Sequence, residues 1–200
     1  EHSRKVRRNL FVKNGVKITM RVFVLSDLHL DYKQNQEWLL NLSVSEFKSD
    51  VLILAGDISD NLALLETCFE QLTLRFSSVL FVPGNHDLWV LRDKEFNSSF
   101  DKFYHICDLA KNYNIDLEPV NFDSLRITPL LSWYDYSFGA PCEKIKQAWM
   151  DFKACDWGQN VDAAAITRFF LEKNTFRLTN QNTTTITFSH FLPRIDVMPD

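Results

Sequence analysis

Four short clusters hold the side chains of this chain best suited to chemistry. They are Asp27-Leu28-His29, Gly56-Asp57-Ile58-Ser59-Asp60, Gly84-Asn85-His86-Asp87 and Ser189-His190. Carboxylate, imidazole and amide oxygen are hard-to-borderline donors that suit Mn²⁺, Fe²⁺/Fe³⁺ or Zn²⁺, and no cysteine lies beside them to make a thiolate site. Asp27 and His29, two residues apart, can hold one ion. Asp57 has two oxygens and can bridge that ion to a second, whose site Asn85 and His190 can complete. Two ions about 3.5–4 Å apart activate a water and clamp the oxygens of an in-line displacement at phosphorus. His86 remains as the group to protonate the leaving oxygen or to stabilise the pentacoordinate phosphorus. Asp60 is placed to hold its other ring nitrogen and set its tautomer. Gly56 and Gly84 let the backbone turn sharply next to the ions.

The first three clusters each close a nearly all-apolar run, Arg21–Asp27, Val51–Asp57 and Val79–Asn85, as expected of strands buried on both faces of a parallel or mixed sheet. Their ends lie about thirty residues apart, the length of a βα unit. In such a sheet ligands gather at the carboxyl ends of the strands. Helical spacing between them is clearest at Leu62, Leu65, Phe69, Leu72 and Phe76, with Asp60 or Asn61 as the cap, and at Phe96, Phe100, Phe103, Cys107 and Ala110. Residues 31–49 carry a weaker helical pattern. Later, Leu125–Leu131 and Thr183–Ser189 read as strands and 161–178 as a helix. Between them, residues 132–158 form an aromatic-rich insertion that either lines a substrate cleft or packs on itself. His105 falls in a helical pattern and His2 in a basic N-terminal segment, so neither is expected at the site.

At the four clusters the chain resembles the calcineurin-like metallophosphoesterase superfamily, whose pattern runs D-x-H, G-D-x-x-D, G-N-H-[DE], a lone His, then G-H-x-H. Asp27/His29, Gly56-Asp57/Asp60, Gly84-Asn85-His86-Asp87 and His190 match the first four in order, over roughly residues 20–192. The resemblance implies an α/β fold of two mixed β-sheets in an αββα sandwich flanked by helices. It also implies two metal ions, with Asp57 bridging, Asn85 and His190 on the second ion, and Asp60 orienting His86. The implied activity is hydrolysis of a phosphomonoester or phosphodiester. The final G-H-x-H is absent and only ten residues follow His190. The expectation is a chain truncated before the last strands, with a degenerate but complete member as the alternative.

Composition bounds the remaining readings. The 200 residues carry a formal net charge of −4, yet Arg4, Lys5, Arg7, Arg8, Lys13, Lys17 and Arg21 cluster at the start. Residues 1–19 are therefore expected to form a basic arm or linker before a domain spanning 20–200. Such an arm suits a nuclease, but the acidic remainder argues against a broad nucleic-acid surface. The other alternative is a binding scaffold of the same fold, which has no reason to keep His86 together with Asp60. Cys68, Cys107, Cys142 and Cys155 have no metal-site spacing, and scattered thiols of this kind suggest a cytoplasmic protein. No apolar run is long enough for a transmembrane segment.

Overall fold

The computed structural model describes residues 8–13, 16–178 and 183–197. Among the described residues, seven strands form two mixed sheets. The first has the order β1 (Arg8–Lys13), β2 (Val16–Leu25), β3 (Val51–Leu54), β4 (Ser78–Phe81). In it β1 and β2 are antiparallel, while β2, β3 and β4 are parallel. The second has the order β5 (Val120–Phe122), β6 (Leu125–Pro129), β7 (Thr184–Phe188), antiparallel and then parallel. This is the expected mixed α/β architecture.

Strand alternation divides the core. Met20, Val22, Val51, Ile53 and Leu80 from the first sheet meet Leu125 and Ile127 from the second, which makes the inter-sheet layer. The intervening positions Leu52, Leu54, Val79 and Phe81 face the helices. Because both faces are covered, β3 is buried at every position and shows no polar alternation.

The helices are α1 (Lys33–Leu40), α2 (Leu62–Thr73), α3 (Ser99–Asn112), α4 (Glu143–Ala148), α5 (Asp151–Ala154) and α6 (Ala163–Glu172). Three have side-chain caps that set their starts. Asn61 accepts from the Ala63 N–H, Ser98 from Asp101 and Asp162 from Ala165. Ser98 explains why α3 begins after Phe96. Leu65, Cys68, Phe69 and Leu72 of α2 and Phe103, Ile106 and Ala110 of α3 enter the main core. Among the described residues no helix is long and apolar enough to cross a membrane.

Two strands are absent from the sequence reading. β5 is only three residues long and half-exposed, too short for its alternation to register. β1 lies within the segment expected to be an arm. There the backbone of residues 8–13 pairs with residues 16–21 as a hairpin. The sequence signal was available, since Asn14-Gly15 between two β-rich runs favours a tight hairpin. Residues 1–7, including His2, Arg4, Lys5 and Arg7, lie outside the described residues. Arg21, counted with the basic segment, is committed internally: its Nε donates to Asp50 Oδ2 at 2.9 Å. That bond holds the guanidinium pKa above its ordinary value despite opposing desolvation.

Candidate metal centre

The carboxyl ends of β2, β3 and β4 converge, and the loops leaving them are stitched by backbone bonds. Asp27 N–H donates to Gly56 O at 3.0 Å, His29 N–H to Asp57 O at 3.1 Å and Leu30 N–H to Ile58 O at 2.8 Å. Three of the expected ligands take left-handed backbone: Asp27 (φ 54°), His29 (φ 40°) and Asp57 (φ 55°). Such conformations cost of order 1–3 kcal/mol each and persist where surrounding structure imposes them. Asp27 and His29 therefore share the cleft through two kinks after β2 has ended, not through the two-residue repeat of a strand. Leu28 between them and Leu30 after them are buried.

The expected glycines have a geometric reason. Gly56 has φ +85°, and a Cβ there would lie 2.8 Å from Gly84 Cα and 2.9 Å from His190 Nδ1. At Gly84 a Cβ would overlap the Asp57 carboxylate and lie 2.8 Å from His190 Cε1. The two loops touch backbone to backbone, with His190 against both.

Asp87 locks this junction, a residue whose part the sequence reading left open. Its side chain is fully buried and accepts four backbone N–H groups: Ile58 (2.7 Å) and Ser59 (3.1 Å) on Oδ1, Asp57 (2.9 Å) and Gly84 (2.9 Å) on Oδ2. Burial and the Asp57 charge push its pKa up to about 6, against the pull of those amides. Asp87→Ala would orphan four buried donors, at about 1–3 kcal/mol each before relaxation. The expected result is a loss of more than about 3 kcal/mol in urea unfolding. An unchanged midpoint would contradict this latch.

Asp27, His29 and Asp57 offer donor atoms all within 4.8 Å of one another. On the other side, His190 Nε2 lies 3.1 Å from Asn85 Oδ1 and 3.5 Å from Asp57 Oδ1. His190 Nδ1 is 2.8 Å from the Ala55 carbonyl, which can only accept, so Nδ1 carries a proton and Nε2 is the ring nitrogen turned to Asn85 and Asp57. Nε2, the Asn85 Oδ1 and the Asp57 Oδ1 thus converge, and all three atom types are metal donors. Asp57 is buried, and that desolvation, opposed by His190, raises its pKa. The donor types and their convergence on the buried Asp57 carboxylate suit metal binding.

His86 sits beside this cluster in a short 3₁₀ turn, His86–Leu88. Its Nδ1 is 2.9 Å from His29 Nδ1, and its Nε2 lies 3.6 Å from both Asp60 Oδ1 and Asp31 Oδ2. Burial alone would lower its pKa, but Asp60, Asp31 and Asp57 outweigh that and raise it. Asp60 thus shares the histidine with Asp31, which sequence reasoning missed although it extends the Asp27-Leu28-His29-Leu30-Asp31 alternation. Asp60 reaches the site from the loop ahead of α2, where Asn61 and not Asp60 is the cap. Arg92 closes the far side, its Nη1 2.9 Å from Asp31 and 3.3 Å from Asp60. His29, Asp31 and His86 also offer donors within 4.8 Å, but Arg92 already supplies the cation there. The Trp89 ring covers His86 at 4.1 Å between centroids.

Beneath this cluster runs Lys102, fully buried on α3, whose Nζ donates to the carbonyls of Asp60 and Trp89, both at 2.5 Å, and pairs with Asp93 at 2.8 Å. It joins the loop after β3 to the loop after β4. His105 stands apart, exposed on α3 against Phe96. All four cysteines are free.

The aromatic insertion sends some side chains to the core and others towards Asn85. Trp133 and Trp157 pack with Phe170 in the core. Tyr134, Trp149 and Asp151 turn to the site, where the Asn85 side-chain N–H donates to Asp151 at 2.9 Å.

The calcineurin-like phosphoesterase family model matches residues 20–182, a stretch that ends before His190. Over 125 residues the chain is 27% identical to the acyl-carrier-protein phosphodiesterase PptH of Mycobacterium tuberculosis, covering 58% of this chain and 38% of that protein. The match therefore spans well under two thirds of the relative's length. The crystal structure of phosphopantetheinyl hydrolase (PptH) from Mycobacterium tuberculosis aligns with a TM-score of 0.69 at 22% identity, covering 86% of this chain and 68% of that one. That likeness is one of fold.

Proposed function

The chain belongs to the calcineurin-like phosphoesterase family, and on that premise we propose that it serves a binuclear, metal-dependent phosphoric ester hydrolase. The observation carrying this reading is the convergence of Asp27, His29, Asp57, Asn85 and His190 about one buried carboxylate, with His86 alongside. Asp27, His29 and Asp57 would hold one ion, and Asp57, Asn85 and His190 the other. Mn²⁺, Fe²⁺/Fe³⁺ or Zn²⁺ suit these donors. Such a pair of ions activates water at neutral pH and balances the charge that develops at phosphorus.

The chain's own groups do the rest. His190 keeps its proton on Nδ1 through Ala55, which leaves Nε2 to bind. With His29 Nδ1 donating, His86 Nδ1 accepts and the His86 proton resides on Nε2. The 3.6 Å separations to Asp60 and Asp31 are too long for hydrogen bonds, and both facing carboxylate oxygens are buried without a hydrogen-bond partner. That Nε2 proton is the one to pass to a leaving oxygen or to stabilise charge at phosphorus; Asp60 and Asp31 face this same nitrogen, while His29, not Asp60, holds the other. A scaffold has no use for this set. The nuclease alternative is weakened by Arg21, whose charge is spent on Asp50.

The related protein's name specifies a phosphodiester of an acyl carrier protein, and a phosphodiester is the substrate class proposed here. The four free cysteines favour a cytoplasmic location. The test is hydrolysis of bis(p-nitrophenyl) phosphate against p-nitrophenyl phosphate by metal-loaded full-length protein. Faster turnover of the diester is expected, and hydrolysis of the monoester alone would overturn the choice.

A further inference from the structure

Asp151 opens α5 inside the aromatic insertion and is 4% exposed. No cation pairs with it among the described residues; four neutral donors converge on it. Asn85 Nδ2 (2.9 Å) and Trp89 Nε1 (2.6 Å) donate to Oδ1, while Tyr134 OH (2.7 Å) and Trp149 Nε1 (3.0 Å) donate to Oδ2. An ionised carboxylate is acceptor-only with about four lone-pair sites, and here all are filled.

The consequence falls on Asn85. A side-chain amide has a donor end and an acceptor end, and only the acceptor end can bind a metal. With its nitrogen held by Asp151, the Asn85 oxygen must face the opposite way, where it lies 3.1 Å from His190 Nε2. Turning the amide over would set its oxygen against a carboxylate oxygen. The same carboxylate fixes Trp89, whose ring lies over His86. We propose that Asp151 is a positioning residue that orients Asn85 for the second metal ion, so that the aromatic insertion is part of the metal centre's support. This rests on the binuclear reading above.

The test is calorimetric titration of the metal-free full-length protein with Mn²⁺. Asp151→Ala is expected to weaken the ion bound through Asn85 and His190 by roughly 10–100-fold and leave the other unchanged, the usual cost of losing a group that orients a ligand. Asp151→Asn keeps one acceptor oxygen for Asn85 and Trp89, and the Tyr134 hydroxyl can turn to accept its amide; only the Trp149 N–H loses its acceptor, so the variant restores most of that affinity. Wild-type affinity for both ions in Asp151→Ala, or equal weakening of both, would overturn the proposal. Should Asp151→Ala not fold, NMR of the wild-type Asn85 side-chain amide decides. Slow solvent exchange of the proton bonded to Asp151 is expected, and exchange at the free rate overturns it. A wild type that binds no ion would sink the binuclear reading, whereas the NMR result would still judge the Asp151–Asn85 bond.

Discussion

Asp57→Asn is expected to strip the protein of both ions while leaving it folded. Asp57 Oδ1 faces His190 Nε2 at 3.5 Å, and a carboxylate oxygen of the same residue lies among the Asp27 and His29 donors. Asparagine keeps the oxygen that accepts the His86 backbone N–H at 2.9 Å, so the loop survives. It removes the one negative charge shared by the two positions. Affinity should fall more than about 100-fold, beyond the range seen when only a ligand's supporting partner is lost. Phosphoester hydrolysis should fall with it. The metal-free fold should be no weaker, because burial already raises the Asp57 pKa and charging that carboxyl opposes folding. Metal analysis beside thermal unfolding checks this. Retained ions and unaltered hydrolysis would contradict a bridging Asp57.

His86→Ala is expected to separate chemistry from metal binding. The imidazole is not among the five proposed ligands, and its loss leaves Asn85 and His190 untouched. His29 loses one hydrogen-bond partner at Nδ1, which softens its orientation without removing its Nε2 donor. A positioned proton donor contributes typically 10²–10⁴-fold, and kcat should fall by that order with two ions still bound at saturating metal. Steady-state kinetics with metal analysis on the same sample distinguishes the outcomes. Loss of an ion in step with the rate would make His86 a ligand.

The fold was legible where one periodicity dominates. β3 and most of β4 could be read because burial on both faces leaves apolar residues there, and α2 because its buried Leu65, Cys68, Phe69 and Leu72 recur at helical spacing. The convergence of the candidate residues was legible for a related reason: a polar residue closing an apolar run must meet its neighbours at the sheet's carboxyl edge. What could not be read was how they are held. Asp27, His29 and Asp57 come together through left-handed backbone, which a spacing argument replaces with strand alternation. Asp87 looked like a motif's last letter, yet it binds two loops through four amides. Asp31 and Arg92 complete the surroundings of His86 from positions 61 residues apart. Asp151 lies 66 residues from Asn85, and nothing local marks it. Long-range pairs of this kind carry no periodicity, so only the folded chain exposes them.

The most direct test of the account is hydrolysis of bis(p-nitrophenyl) phosphate by the full-length protein before chelation, after it, and after reloading. The account predicts that chelator-treated protein, dialysed free of metal, falls to background and that Mn²⁺, iron or Zn²⁺ restores the rate as two equivalents bind. Hydrolysis persisting undiminished in metal-free protein, or no hydrolysis with both equivalents bound, would contradict it.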